Sequence, residues 1–95
     1  MKIKKGDWII YKNGNYYEIG LVKRIKEDKA FAWYHLGGTA SCTPFYTIIY
    51  HSAFLDLVMR HLYELGVTRI QNVHALPSLI VRSSGIDTAD LIDIG

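Results

Sequence analysis

The chain has 95 residues, of which 49% are apolar and 21% charged, and this balance is typical of one folded domain rather than of a disordered chain. Its one cysteine, Cys42, excludes an internal disulfide, so we expect a reducing, cytoplasmic setting. No apolar run approaches the roughly 18 to 20 residues that a membrane span needs, so we expect no membrane association.

The two halves of the chain differ in charge and in aromatic content. Residues 1–50 contain eight Lys and Arg against four Asp and Glu, and they hold ten of the twelve aromatic residues. Residues 51–95 contain three Lys and Arg against five Asp and Glu. We therefore predict a single domain, 1–95, in which 1–50 is β-rich, basic and aromatic and 51–95 is helical or mixed and acidic.

Two strands and a tight turn are predicted at the start of the chain. Residues 8–11 are dense in strand-favouring side chains. Asn13-Gly14, which follows them, is a strong signal for a two-residue hairpin, because both residue types tolerate positive φ. A second strand is predicted over residues 16–25, with Gly20 as a bend or bulge.

The strand pattern continues up to residue 50. A third strand is predicted over residues 30–35, and the glycines at 37 and 38 turn the chain into a fourth over 39–43. Pro44 ends that strand because it has no N–H to give to a sheet. Residues 45–50 fit either a last short strand or a 3₁₀ turn.

Three segments carry a resemblance to known proteins: residues 6–11 (GDWIIY), 17–22 (YEIGLV) and 32–38 (AWYHLGG). In these segments the chain resembles SH3-like barrels of the Tudor and KOW kind, over about half of its length. The resemblance implies a small, bent antiparallel sheet or SH3-like barrel over about residues 7–50. It concerns the fold, and a fold does not by itself define a function.

An amphipathic helix is predicted over about residues 52–65. Ser52 can cap it by accepting from a free N–H group of the first turn, and Gly66 is suited to end it. Apolar residues recur at helical spacing, whereas charged residues four apart take the other side. The predicted buried face contains Phe54, Val58, His61, Leu62 and Leu65, and the predicted solvent face contains Asp56, Arg60 and Glu64.

The residues after Gly66 predict a short β/α segment. Residues 68–73 alternate as a strand does, and residues 76–82 fit either its hairpin partner or a short helix with Pro77 in the first position. Asp87 is placed to cap a final helical turn over residues 88–94. Together these patterns predict an α+β fold.

Candidates for catalysis and metal binding are few. Cys42 with His35 or His51 as its base is the one arrangement for a nucleophile, but a lone cysteine in a strand is more often a small buried side chain. The four histidines show none of the tight spacings of zinc sites. We therefore predict no catalytic site, no metal and no cofactor, and a thiol enzyme using Cys42 is the least favoured hypothesis.

The aromatic residues of the first half outnumber what a barrel of that size can bury. Alternate residues of a strand face opposite sides, so the rings within one strand cannot all point inward. Some rings are expected at the surface, as stacking platforms for bases, cages for cations or anchors for proteins, unless the second half covers them. The aromatic members of the predicted binding set are Trp8, Tyr11, Tyr16, Tyr17, Trp33, Tyr34, Phe45 and Tyr46.

Basic residues cluster near the end of the second predicted strand. Lys23, Arg24 and Lys26 complete the predicted binding set, since such a cluster can follow a phosphate backbone. The competing interpretation is a solvated strand edge that carries lysines to discourage pairing with other chains.

These observations favour a non-catalytic interaction module that binds a protein partner. Small proteins without known motifs are common on phages and mobile elements, so a regulator or inhibitor of that origin is one form of this hypothesis. The alternative is a nucleic-acid-binding protein that uses the basic hairpin and exposed aromatics. A homodimer is expected through the apolar residues Leu55, Met59 and Tyr63 of the helix or through residues 76–86.

Overall fold

The chain folds into a five-stranded antiparallel sheet with two helices. A computed structural model describes residues 2–35 and 37–92, with side chains described through residue 85. The strands are β1 (Trp8–Asn13), β2 (Tyr16–Lys26), β3 (Lys29–Trp33), β4 (Ser41–Pro44) and β5 (Ile48–Ser52), and the helices are α1 (Leu55–Glu64) and α2 (Leu76–Ile92). Two 3₁₀ turns, Phe45–Thr47 and Val73–Ala75, precede β5 and α2. The predicted α+β fold is confirmed.

The order of the strands in the sheet is β4-β3-β2-β1-β5. All neighbouring strands run antiparallel, and β4 and β5 form the two free edges. The sheet therefore does not close, and of the two predicted forms the chain adopts the bent sheet rather than the barrel. Both interpretations of residues 45–50 are realised, since a 3₁₀ turn leads directly into β5.

The turn between β1 and β2 lies one residue later than predicted. Asn13 pairs with Tyr16 across the hairpin, so the two turn residues are Gly14 and Asn15. Gly14 has a φ of 61°, in the left-handed region that favours glycine.

Two shifts of register interrupt the ladders of the sheet. One lies at Lys23 in β2 and the other at Ile49 in β5. Such bulges bend a strand and increase its local twist. Gly20, the predicted bulge, instead pairs regularly with Ile9. Its lack of a side chain makes room for the ring of Tyr34.

Each face of the sheet has its own apolar core, because alternate residues of the strands point to opposite sides. The helix side is covered by α1 and α2, whereas the opposite side, which we call the concave side, carries a smaller core. The helix-side core includes Trp8, Ile10, Ile19, Leu21, Val58, Leu62 and Leu79. The concave core consists of Ile3, Ile9, Val22, Ala30, Ala32, Tyr34 and Ile48.

Helix α1 is shorter than predicted at its start. Ser52 is still part of β5, and its hydroxyl accepts the N–H of Phe54 at 3.1 Å before the helix begins. Gly66 ends α1 as predicted, with a φ of 75°. Phe54 and Leu65 flank the helix and are exposed, so this part of the predicted buried face is wrong. The rest of that face, Val58, His61 and Leu62, is buried or half-buried.

The strand predicted over residues 68–73 does not form. This segment is irregular, and the N–H of Gln71 and the side chain of Asn72 bond it to β2. Residues 76–82 adopt the helical alternative as the start of α2. That helix runs past Asp87 to Ile92, so Asp87 does not begin a separate turn. Residues 93 and 94 of the predicted turn lie outside the described residues.

Candidate functional site

An open groove, the aromatic groove, lies on the concave side of the sheet. It runs between the β1–β2 hairpin, β4 and the 3₁₀ turn after β4, and its volume is about 610 Å³. Tyrosines, one carboxylate and hydroxyl-bearing side chains line it. The residues that shape it are Tyr11, Tyr16, Glu18, Tyr34, Thr43 and Tyr46.

The register of the β1–β2 hairpin brings three of these residues together. Tyr11 lies directly opposite Glu18, and Tyr16 precedes Glu18 by two positions, so all three point to the same side. The 3₁₀ turn adds Tyr46 from across the groove, which is 89% exposed.

The tyrosine rings contact one another edge to face. The Tyr11 ring centroid lies 6.4 Å from that of Tyr16 and 6.0 Å from that of Tyr34, with interplanar angles of 79° and 65°. Aromatic pairs favour this geometry over a stacked sandwich. The rings therefore form a connected wall from the buried Tyr34 to the half-exposed Tyr16.

Glu18 places a negative charge in this aromatic wall. The residue is only 9% exposed, and its Oε2 lies 3.8 Å from Nε2 of the exposed His35. Partial burial first and the Glu18 carboxylate second raise the pKa of Tyr16. A carboxylate with so little access to water gains from a nearby positive charge.

Tyr34 forms the inner end of the groove. Its hydroxyl shares a 2.9 Å hydrogen bond with the hydroxyl of Thr43. Burial raises the pKa of the Tyr34 phenol, and the bond to Thr43 opposes this only in part. The phenol is therefore protonated throughout the physiological range.

Replacing Tyr34 with phenylalanine is expected to make stability less sensitive to alkali. The folded state keeps this phenol protonated, whereas the unfolded chain ionises it near its ordinary pKa of about 10. The stability that depends on this difference is complete below about pH 10 and is lost as the pH rises further.

The measurement is the free energy of unfolding in urea between about pH 8 and about pH 11. Tyr34→Phe should be less stable by about 1 kcal/mol at neutral pH, because the hydrogen bond between Tyr34 and Thr43 is lost. Its stability should then fall less steeply than that of the wild type. Equal slopes for the two proteins would contradict a raised pKa for Tyr34.

The groove favours cations over anions. None of the described residues that line it is Lys or Arg, and Glu18 contributes a carboxylate. The faces of tyrosine rings also attract cations, through the negative potential of the π system. A phosphate in this groove would meet no compensating charge.

The structure divides the predicted binding set among three places. The aromatic groove brings together Tyr11, Tyr16, Tyr34 and Tyr46. Four other rings pack on the two apolar cores, where Trp8 is buried and Tyr17, Trp33 and Phe45 are partly buried. The outer side of the β2–β3 hairpin carries Lys23, Arg24 and Lys26.

Burial distinguishes the members of this set. Trp8 is buried beneath the helices and presents no ring to a partner.

Glu18 and Thr43 are the groove residues that the sequence did not suggest. A turn at Asn13-Gly14 would pair Tyr11 with Tyr16, so only the observed turn at Gly14 and Asn15 places Glu18 opposite Tyr11. Thr43 is recognisable only from its contact with Tyr34.

Cys42 is exposed in β4, opposite Phe31. Each of its predicted bases lies beside a carboxylate. Nδ1 of His51 is 3.4 Å from Oδ2 of Asp7, and His35 lies beside Glu18. The thiol-enzyme hypothesis stays an untested prediction. Within residues 2–35 and 37–92, no three His, Cys, Asp or Glu side chains are grouped so as to hold a metal ion.

The residues predicted for self-association are divided between core and surface. Leu55 packs against the helix-side core, whereas Met59 and Tyr63 are exposed on α1. Ile80 and Val81 are exposed on α2. The homodimer stays a prediction. In the part of the chain that is described, no helix is long and apolar enough to cross a membrane.

Comparison of the chain with models of protein families, with curated proteins and with solved structures finds no match.

Proposed function

We propose that this chain is a non-catalytic interaction module that binds a protein partner and takes one of its lysine or arginine side chains into the aromatic groove. The observation that carries this proposal is the position of Glu18. Its carboxylate is nearly buried among tyrosine rings, in a groove whose described lining contains no basic residue.

A cation in this groove would make two favourable interactions at once. It would lie against the rings of Tyr11 and Tyr16, and it would approach the carboxylate of Glu18. A cation on a ring face contributes about 0.5 to 2 kcal/mol, and more as water is excluded. A hydrogen bond to a charged group adds about 1.5 to 3 kcal/mol.

The neighbouring edge strand suggests why the cation belongs to a protein. β4 is an edge of the sheet, and its residues also line the groove. An extended partner segment can pair with such an edge and place alternate side chains on one face of the sheet. One of those side chains would then point to the concave side, where the groove lies. A regulatory or inhibitory role of phage origin stays a hypothesis.

Replacing Tyr46 with alanine is expected to weaken partner binding about tenfold or more. Tyr46 is a large, rigid side chain at the rim of the groove, and truncating such an anchor typically costs at least about 1 to 2 kcal/mol. The partner would be captured from host lysate on the immobilised chain, at high salt and after nuclease treatment. Its affinity for the purified wild type and variants would then be measured by calorimetry.

Tyr63→Ala provides a matched control. Tyr63 is 84% exposed, much like Tyr46 at 89%, but it lies on α1 away from the groove. It should leave the affinity within about twofold of the wild type. Glu18→Gln keeps the shape of the groove and removes its charge, so it should also weaken binding about tenfold. The proposal would be wrong if Tyr46→Ala and Tyr63→Ala weakened partner binding equally, or if Glu18→Gln left the affinity unchanged.

A further inference from the structure

The outer side of the β2–β3 hairpin carries a continuous set of cations. Near the β2–β3 turn, the concave core takes Val22 and Ile25 from β2 and Ala30 and Ala32 from β3, so the residues paired between them lie on the other side of the sheet. The bulge at Lys23 matters here because it places two successive basic residues on the outer side. We call this set the basic hairpin face, and it consists of Lys23, Arg24, Lys26, Lys29, Phe31 and Trp33.

Arg24, Lys23 and the neighbouring Arg82 each lie over an aromatic ring of this face. The guanidinium of Arg24 lies 4.2 Å from the centroid of Phe31. Lys23 and Arg82 both approach the ring of Trp33, at 5.6 Å and 4.5 Å. Arg82 reaches it from α2, so the helical half extends the basic surface.

Hydrogen bonds to the glycine loop after β3 orient the Trp33 end of this surface. Trp33 Nε1 donates to the carbonyl of Gly38 at 3.2 Å, and Arg82 Nη1 donates to that of Gly37 at 3.0 Å. Charged groups positioned in this way lose less conformational entropy when they bind an anion.

Protection of a sheet edge does not explain these residues. Lysines on an edge strand discourage pairing with other chains, but β2 is a central strand and β3 is covered by β4 on its other side. Glu27 and Asp28 lie in the turn beyond the strands and leave the outward positions of β2 and β3 without an acid.

We propose that the basic hairpin face, together with Arg82, binds the phosphate backbone of a short stretch of single-stranded nucleic acid. Cations interleaved with rings are the surface that such strands recognise, since phosphates meet the charges and bases stack on ring or guanidinium planes. The outward cations of β2 span three residue steps, or roughly 10 Å, which suits a few nucleotides rather than a long duplex. This surface lies on the opposite side of the sheet from the aromatic groove, so the two proposals are independent.

The experiment measures the fluorescence anisotropy of a labelled single strand of roughly 12 nucleotides, titrated with the protein at several salt concentrations. The wild type should bind at low salt, with an affinity that falls steeply as salt rises. The double variant K23Q/R24Q should bind about tenfold more weakly. The slope of log K against log salt should become shallower by about 1.4, or about 0.7 for each phosphate that the variant no longer neutralises.

The variant K2Q/K4Q is the control for net charge, because it removes two exposed lysines that are not part of this face. It should change the affinity less than twofold. Lys26→Gln, which leaves the ring interactions of Lys23 and Arg24 intact, should weaken binding by a smaller factor than the double variant. The variants should also keep the circular dichroism spectrum and melting temperature of the wild type.

Three outcomes would overturn the proposal: no binding by the wild type at low salt, equal losses for the two double variants, or equal affinity for polyglutamate. The last of these would mark the surface as one for acidic proteins. Tyr46→Ala should leave nucleic-acid binding unchanged. A failure of the proposal for the aromatic groove can therefore be distinguished from a failure of the proposal for this surface.

Discussion

Replacing Asn72 with alanine is expected to lower the free energy of unfolding by about 3 to 4 kcal/mol. Asn72 is fully buried in the connection between α1 and α2. Its Oδ1 accepts the N–H of Ile19 at 3.0 Å, and its Nδ2 donates to the carbonyls of Ile19 and Tyr34 at 2.8 and 2.9 Å. Alanine would leave three buried backbone groups without a partner.

The position of these groups explains why a side chain is needed. The β2–β3 ladder ends at the pair formed by Leu21 and Trp33, so Ile19 and Tyr34 lie just beyond it. The amide of Asn72 takes the place that a longer β3 would have filled, because it offers both a donor and an acceptor. A domain of this size unfolds with about 5 to 15 kcal/mol, so losing the amide removes a large part of its stability.

Urea unfolding followed by circular dichroism measures the effect of Asn72→Ala. Asn72→Asp keeps the size of the side chain but loses the donor, and should also be destabilised by at least about 2 kcal/mol at neutral pH. Gln71→Ala is the matched control, because the bond from Gln71 to Tyr17 uses the backbone N–H. It should stay within about 0.5 kcal/mol of the wild type. A loss below about 1 kcal/mol for Asn72→Ala would contradict this account.

Replacing Gly20 with alanine is expected to destabilise the chain by about 2 to 3 kcal/mol, through overpacking of the concave core. A Cβ at Gly20 would lie 2.7 Å from Cε1 and 2.9 Å from Cζ of Tyr34, and 3.2 Å from Cγ1 of Ile9. The ring cannot move away easily, because Tyr34 is buried and its hydroxyl is bonded to Thr43.

Gly37→Ala is the matched control for Gly20→Ala. Among the described residues beyond its chain neighbours, no atom lies within 4 Å of the position of its Cβ, so it should change stability by less than about 0.5 kcal/mol. The double variant G20A/Y34L should be more stable than the sum of its two single effects, because leucine removes the ring atoms that clash. Additive effects would show that the ring of Tyr34 is not the cause.

Much of the architecture was predictable because it depends on residues close in sequence. The run of strand-favouring residues from Trp8 to Tyr11, the glycine at position 14 and the helical spacing of Val58 and Leu62 all indicate their elements from local pattern alone. The errors lie at boundaries and after Gly66. Residues 68–73 alternate like a strand, but they bond to the unpaired start of β2 only through the N–H of Gln71 and the side chain of Asn72, so no strand ladder forms.

The candidate site was predictable only in part. The excess of aromatic residues indicated rings outside the core. The alternation of side chains along a strand shows which rings share a face, but it does not show which face the helices will cover. Trp8 and Tyr11 are close in β1, yet the helices bury Trp8 while Tyr11 faces the groove. The bulge at Lys23 likewise has no signature in the sequence, and it places Arg24 on the outer side.

Local sequence alone specifies the strands of the first half, the amphipathic helix and the separation of basic from acidic halves, because each follows from composition or from neighbours a few residues apart. The packing of the whole chain decides the rest: which rings contact Glu18, which cations lie over Trp33 and how Asn72 completes the sheet. Asn72 and Ile19 are 53 residues apart, and Arg82 and Gly37 are 45 apart. Such pairings depend on how the helical half packs on the sheet, which no local pattern specifies.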